Sequence, residues 1–448
     1  MSNSYLIKGG KKLKGEVILS GAKNVALKTI IAALMFKGDV ILKNVPQIND
    51  VLDLIELIKS LGTKAIFIEK NTLLINADSL KSNRVDLIYG SKIRVSFMLF
   101  APLLHRFGEC FVPNPGGCRI GARPIDRIIN GLMALGIKVN YDSETGYYQA
   151  KIINNPKGNY RFEKPSHTGT ELLMLIGLMT ERQVVIDNIA NEPEIDDLIL
   201  YLNSAGANIV KKNNKIIIGR LSNHEVKSPE LKQKRPFTIM SDRNELVTYA
   251  TLAVASHGDV TIGPIKEDLI TSFLKIMRQT GAGVKKISKD RFKFFYRGMI
   301  KSVNIETSPH PGFMTDWQPS WAILMLMAEG ESVIHERVFE NRFSYVEELI
   351  KLGAKIDFIG IKIENIENFY NFNYENNKDY QQTIRIQGGN ELHNAILNIS
   401  DLRAGAALAC AALLSYGESV VNGASTLERG YEDFVGKIKK LGGDIKKV

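Results

Sequence analysis

Ile58-Lys-Ser-Leu-Gly62-Thr-Lys returns five more times in changed spelling. The further copies are Leu132-Met-Ala-Leu-Gly136-Ile-Lys, Leu202-Asn-Ser-Ala-Gly206-Ala-Asn, Met277-Arg-Gln-Thr-Gly281-Ala-Gly, Ile350-Lys-Leu-Gly353-Ala-Lys and Ile438-Lys-Lys-Leu-Gly442-Gly-Asp. Each reads as the last turn of a helix, a left-handed glycine that stops it, and the start of a strand. The glycines lie 74, 70, 75, 72 and 89 residues apart, the period of a supersecondary unit used six times. A second element recurs between the copies: a small-residue apolar helix, a turn and a β-branched strand. Examples are Ala32-Ala-Leu-Met-Phe-Lys-Gly38-Asp-Val-Ile-Leu, Leu252-Ala-Val-Ala-Ser-His-Gly258-Asp-Val-Thr-Ile and Ala411-Ala-Leu-Leu-Ser-Tyr-Gly417-Glu-Ser-Val-Val; near Met179 to Ile186 the glycine is replaced. Each unit should therefore hold two helices with strands between them, in a β-α-β-β-α-β-like order. The alanine-rich helices are apolar on every side, which puts them inside and the sheets outside. Unique Gly/Pro loops interrupt the units, so two compact three-unit domains fit better than a continuous solenoid.

The bulk numbers agree with an α/β protein of more than one domain, since 448 residues exceed one ordinary core. The longest apolar runs, such as Ile30 to Phe36, fall far short of the roughly 20 residues that cross a bilayer. Met1 to Tyr5 has no basic-then-apolar leader, so a cytoplasmic location is expected. Cys110, Cys118 and Cys410 are too few and too odd in number for a disulfide framework, and none has zinc-ligand spacing with a histidine. The formal charge of +10 is either a solvated basic surface or a field that draws anionic ligands into a cleft. Nucleic acid fits less well, because the lysines are scattered and form no stripe interleaved with aromatics. Asn365 to Lys378, rich in asparagine and aromatics, reads as a surface loop.

Four segments break the repeat. Ser20-Gly-Ala-Lys23-Asn24 places an amine and an amide in a glycine turn before a helix, suited to phosphate or carboxylate; a plain surface lysine is the alternative. Pro113-Asn-Pro-Gly-Gly117-Cys118-Arg-Ile-Gly121-Ala-Arg123-Pro124-Ile-Asp126 reads as a hinged lid around one thiol. Arg119, Arg123 and Arg127 would lower the pKa of Cys118 and make it a nucleophile or a proton donor. By contrast, Cys410 in an alanine-rich helix and Cys110 in a strand read as structural. Thr307-Ser-Pro-His310-Pro-Gly-Phe-Met-Thr315-Asp316-Trp-Gln318 sets Asp316 at the start of an apolar helix, either as its cap or as a general base. Ser400-Asp401-Leu-Arg403-Ala-Gly405 and Glu428-Arg429-Gly430-Tyr431 each put an arginine at a helix opening beside a carboxylate and a glycine. Two guanidinium forks suit a small substrate carrying carboxylate and phosphate, although each alone is as readily a salt-bridge partner. Arg94 and Arg342 are further arginines at helix starts or after strands.

Taken together, these segments resemble the enolpyruvyl transferase family over essentially the whole chain, from Leu13-Lys-Gly-Glu-Val to Arg429-Gly-Tyr-Glu. The most specific motif is Pro-Gly-Gly-Cys118 with Ile-Gly-Ala-Arg123-Pro; Val338-Phe-Glu-Asn-Arg342-Phe and Asp401-Leu-Arg403-Ala add to it. The resemblance implies an inside-out α/β barrel of two three-repeat domains with the active site between them. One domain would span residues 22–233, the other 1–21 with 234–448. It implies transfer of the enolpyruvyl group of phosphoenolpyruvate to the 3-hydroxyl of UDP-N-acetylglucosamine, with no metal or organic cofactor and no obligate protein partner. Cys118 would protonate the methylene carbon or trap the cation, and Asp316 would take the hydroxyl proton. Lys23, Arg123 and Arg403 would hold phosphate and developing charge, and Arg429 the carboxylate. Asn24, Arg94, Asp126, Lys164, Ser166, Val338 and Asp401 would line the substrate sites.

One segment departs from the family pattern. Lys164-Pro165-Ser166-His167-Thr168-Gly169-Thr170-Glu171 stands where a Ser-Val-Gly-Ala-Thr turn is usual. Its glycine is displaced by one position and His167 replaces an apolar residue, which bears on the acceptor more than on the reaction class. Two other readings stay open: the same chemistry on another nucleotide sugar or a shikimate-like alcohol, the latter disfavoured by Cys118, and a UDP-sugar-binding paralogue without catalysis.

Overall fold

A computed structural model describes residues 3–116, 125–219 and 230–448. Among them the chain forms two compact units, one of 3–20 with 241–448, the other of 21–116, 125–219 and 230–240. Each unit has its own hydrophobic core and three of the six sheets.

The sheets share one wiring. In one, Gly158–Arg161 runs parallel to Gln183–Asp187, which pairs antiparallel with Lys215–Gly219, itself antiparallel to Ile209–Lys212. The same parallel edge and antiparallel remainder recur where Lys14–Ile18 joins Asp259–Gly263 and where Ile305–Glu306 joins Glu331–His335. In the three-stranded sheet of Glu109–Pro113, Tyr147–Ile152 and Ile137–Asp142, a parallel bridge from Arg84 to Phe111 stands where the fourth strand would be. The N-terminal strand Ser4–Lys8 lies between Glu418–Asn422 and Asp444–Lys447, with Tyr5 opposite both Val421 and Lys447. Within a repeat the order is β-α-β-α-β-β, so the helices flank one strand rather than two. A parallel pair needs a crossover helix, whereas the antiparallel strands that follow need only a turn.

The helices divide as their sequences require. Arg243–Ala255 and Gln318–Leu326 are buried along their whole length, and Leu402–Leu414 all but its last residue; these three pack on one another. In the other unit Lys23–Ala33, Phe100–Phe107 and His167–Gly177 hold the equivalent places. Ile323, Leu324, Met325 and Leu326 are at most 1% exposed, so each stabilises by roughly 1.5–3 kcal/mol relative to an exposed side chain. Amphipathic helices such as Asn49–Ser60 and Thr271–Gln279 bury one face only. The result is an inside-out α/β fold, with helices at the centre and sheets around them.

All six glycines of the repeated helix-end motif have positive φ, from 81° at Gly281 to 109° at Gly206. The second element is less uniform: Gly38 and Gly417 are left-handed, but before Asp259 His257 takes that role. Gly258 is needed there for space, since a Cβ would sit 2.0 Å from the Leu13 carbonyl oxygen. The 365–378 segment is more than a surface loop. Tyr370 and Phe372 are buried, and their rings cluster with Tyr374 and Tyr380, because aromatic area is too costly to leave in water.

Candidate active site

In the unit that holds the C-terminal repeats, a 3₁₀ turn Thr315–Trp317 leads into the buried helix Gln318–Leu326. Trp317 and Trp321 meet Phe273 and Phe313 edge-on, and the Trp317 indole N–H donates to Asn244 Oδ1 at 2.8 Å. This packing fixes the turn that carries Asp316. Its carboxylate receives Arg342 Nη2 at 2.6 Å on Oδ1 and Arg403 Nε at 3.3 Å on Oδ2. The cap reading therefore fails: the helix has no side-chain cap, and both oxygens meet guanidiniums. Burial alone would raise the pKa of Asp316, but Arg342 and Arg403 outweigh it and hold the group well below the usual carboxylate range.

Arg403 owes its place to its neighbour. Asp401 caps the helix Leu402–Leu414 by accepting from the Arg403 and Ala404 N–H groups, both at 3.0 Å, while its other oxygen accepts from Ser344 Oγ. Asp401 thus aims Arg403. The Arg403 guanidinium lies over the ring of Tyr431, 5.3 Å from its centroid. Tyr431 is buried, its pKa pushed up to about 12 mainly by desolvation, and its hydroxyl shares a 2.7 Å hydrogen bond with Thr248 Oγ1. Among the described residues Arg403 Nη1 is buried without an acceptor, a donor that an anionic oxygen would satisfy. Arg429 is not at a helix opening as expected; it lies in the turn between Ala424–Leu427 and Phe434–Lys440. Gly423 at φ 90° starts a helix of only four residues there, which ends before Arg429.

In the other unit Lys23 opens the helix Lys23–Ala33, and the preceding Ala22 N–H is tied to the Met240 carbonyl at 2.7 Å. The Lys23 ammonium lies 2.6 Å from Asp50 Oδ2, both side chains largely buried. Asn24 follows in the same helix, half-buried. Arg94 opens the 3₁₀ helix Arg94–Leu99, its pKa lowered by burial, and Asp126 opens Asp126–Ala134 on the surface. Ser166 is the N-cap of His167–Gly177, its Oγ accepting from Gly169 N–H at 3.2 Å, with Lys164 half-buried just before it. His167 turns inward. Its Nε2 lies 3.2 Å from Glu171 Oε1, and Lys28 Nζ lies 3.1 Å from Oε2 of the same fully buried carboxylate.

Cys118 and Arg123 lie outside the described residues, as does Arg119. Cys110 and Cys410 are buried in a strand and in an inner helix; burial pushes the thiol of Cys410 up to about 12 and that of Cys110 higher still. Val338 presents its backbone, its N–H donating to Glu336 Oε1 at 2.7 Å. Asp50, Glu171, Lys28, Thr315, Glu336 and Tyr431 are the participants that sequence reading passed over. Glu171, Thr315 and Tyr431 stood in quoted segments without a role of their own, and Lys28, Asp50 and Glu336 are ordinary charged residues in or beside helices and strands.

The family model described as EPSP synthase (3-phosphoshikimate 1-carboxyvinyltransferase) matches residues 7–438. The UDP-N-acetylglucosamine 1-carboxyvinyltransferase of Thermodesulfovibrio yellowstonii is 35% identical over 449 residues, and that of Buchnera aphidicola subsp. Schizaphis graminum 36% over 448, each match covering 100% of both chains. Among solved structures, the enolpyruvyl transferase NikO from Streptomyces tendae superposes with a TM-score of 0.84 at 22% identity, over 100% of this chain and 99% of its own. An EPSP synthase from Acinetobacter baumannii gives 0.71 at 16%, covering 99% of each; at such identities these two likenesses bear on the fold alone. Full-length similarity to the named relatives goes further: the chain belongs to the enolpyruvyl transferase family, among the UDP-N-acetylglucosamine 1-carboxyvinyltransferases.

Proposed function

We propose that this protein transfers the enolpyruvyl group of phosphoenolpyruvate to the 3-hydroxyl of UDP-N-acetylglucosamine, releasing phosphate, as the first committed step of peptidoglycan synthesis in the cytoplasm. The observation that carries the reading is the Arg342–Asp316–Arg403 cluster, its two arginines buried, its carboxylate half-buried and one Arg403 donor unsatisfied. A carboxylate between two guanidiniums is a poor base while both face it. When an anionic oxygen of phosphoenolpyruvate takes Arg403, Asp316 loses one of the cations that depress its pKa and becomes able to accept a proton.

The chemistry follows. The acceptor oxygen bonds to the central carbon of phosphoenolpyruvate as its proton passes to Asp316, and Cys118 gives a proton to the methylene carbon. Phosphate then leaves with the electron pair of its C–O bond, and loss of a methyl proton restores the vinyl group. Lys23, Arg123 and Arg403 hold the phosphate and Arg429 the carboxylate, with Asn24, Arg94, Asp126, Lys164, Ser166, Val338 and Asp401 on the acceptor side. Asp401 also serves the phosphate side, by aiming Arg403. No helix among the described residues is long and apolar enough to cross a membrane.

The test is phosphate release with both substrates, with each alone, and with other acceptors. Release that requires phosphoenolpyruvate and UDP-N-acetylglucosamine together is expected. Release only with another nucleotide sugar or a shikimate-type alcohol would move the acceptor. No release despite tight UDP-sugar binding would make the chain a non-catalytic paralogue.

A further inference from the structure

A buried carboxylate that the proposed reaction does not use sits behind its base. Glu336 is fully buried, directly after the strand Glu331–His335. Its Oε1 accepts from the Val338 and Phe339 N–H groups at 2.7 and 3.1 Å, and its Oε2 from the Thr315 hydroxyl at 2.7 Å. Thr315 Oγ1 in turn accepts from Arg342 Nη1 at 2.7 Å, and Arg342 Nη2 donates to Asp316. Burial pushes the Glu336 pKa up, while Arg342 and three donated hydrogen bonds oppose that. The three donors converge on the ionised form. The Thr315 hydroxyl is thereby oriented: its proton points at Glu336 and its lone pair at Arg342. One guanidinium is shared between two carboxylates, directly with Asp316 and through a hydroxyl with Glu336.

We propose that Glu336 is a positioning residue for Asp316: through Thr315 it holds Arg342 in place and tempers the guanidinium's pull on the base, while its other oxygen pins the Val338 segment. The proposal rests on the assignment of Asp316 as the base. A neutral residue at 336 leaves Arg342 less compensated, so the carboxylate of Asp316 becomes a weaker base and its alignment with the hydroxyl loosens. The deficit belongs in kcat rather than in the binding of phosphoenolpyruvate.

The experiment compares wild type, Glu336→Gln, Thr315→Val and the double variant by phosphate release over a range of both substrates, with urea midpoints measured alongside. Thr315→Val keeps the shape and the Glu336–backbone bonds and removes the hydroxyl that joins Glu336 to Arg342, so it reads the relay even if Glu336→Gln does not fold. Each single change is expected to lower kcat about tenfold with KM for phosphoenolpyruvate little moved, as misalignment of a general base does. The double variant should be no slower than the slower single, because both cut one chain. Folded single variants with wild-type kcat, or a double variant slowed by the product of the two, would overturn the positioning role while leaving the function intact. An inactive wild type would instead overturn the function itself.

Discussion

Lys28→Met tests whether the departure at His167 is a built feature of the fold. Glu171 is fully buried, with Lys28 at 3.1 Å and His167 at 3.2 Å as its cations, and Lys28 is only 6% exposed. Neither nitrogen is aimed for a good hydrogen bond, so the attraction is mainly Coulombic. Removing one partner of a buried pair costs about 3–5 kcal/mol, because the remaining charge is left in a poor solvent. Here the loss is graded by pH. Burial disfavours the charged ring of His167, but Glu171 beside it, helped by Glu192, outweighs burial and Lys28 and raises its pKa above the ordinary value. A raised histidine stabilises fully below its unfolded pKa of about 6.5, and that contribution fades as pH rises through the folded value. Lys28→Met should therefore cost least in mild acid, where imidazolium still faces Glu171, and the full amount in mild alkali. Adding Glu171→Leu removes the stranded charge and should bring stability back near wild type. Trp317 and Trp321, the only tryptophans, lie in the other unit. Urea unfolding is therefore followed by far-UV circular dichroism. A loss below about 1 kcal/mol in mild alkali, the range of an exposed pair, or a double variant as weak as the single, would show that Lys28 and His167 do not compensate Glu171.

Asp316→Asn should lower kcat by about 10²–10⁴ with KM for phosphoenolpyruvate little changed. Because the folded pKa of Asp316 is depressed, its pairing stabilises above the ordinary carboxylate value of about 3.9 and is lost only as pH falls well below it. Urea midpoints of the Asn variant should accordingly lie under wild type at neutral pH and converge with it in strong acid. Arg403→Lys keeps the charge but loses the planar fork, so KM for phosphoenolpyruvate should rise about tenfold or more. Fosfomycin should inactivate the enzyme by opening its epoxide on Cys118, read by peptide mass. Cys110 and Cys410 should stay unmodified, since both are buried and burial raises their pKa values.

The fold was legible because it is written in local signals repeated six times. The helix-stopping glycines were readable since a left-handed residue at a helix end favours glycine for a steric reason. His257 marks the limit: where space rather than backbone conformation demands the glycine, the left-handed position slips to its neighbour. The order of strands within a unit was harder, because pairing across dozens of residues leaves no periodic trace. The candidate site was legible where reactive types gathered in unusual loops, as at Asp316 and Arg403. Asp50, Glu171 and Glu336 were not. An acid in a helix or turn reads as solvated, and only the packed structure shows that Lys23, Lys28 and Arg342 are its counter-charges. Asp316 shows the converse, since its position suited a cap and only the arginines decided against it.

The proposed reaction is tested most directly by the structure of its product. The protein, incubated with phosphoenolpyruvate and UDP-N-acetylglucosamine, should yield the nucleotide sugar with an enolpyruvyl ether on its 3-oxygen, seen by NMR as new vinyl protons, with phosphate released in equal amount. An unchanged nucleotide sugar, or phosphate released with free pyruvate and no ether, would contradict it.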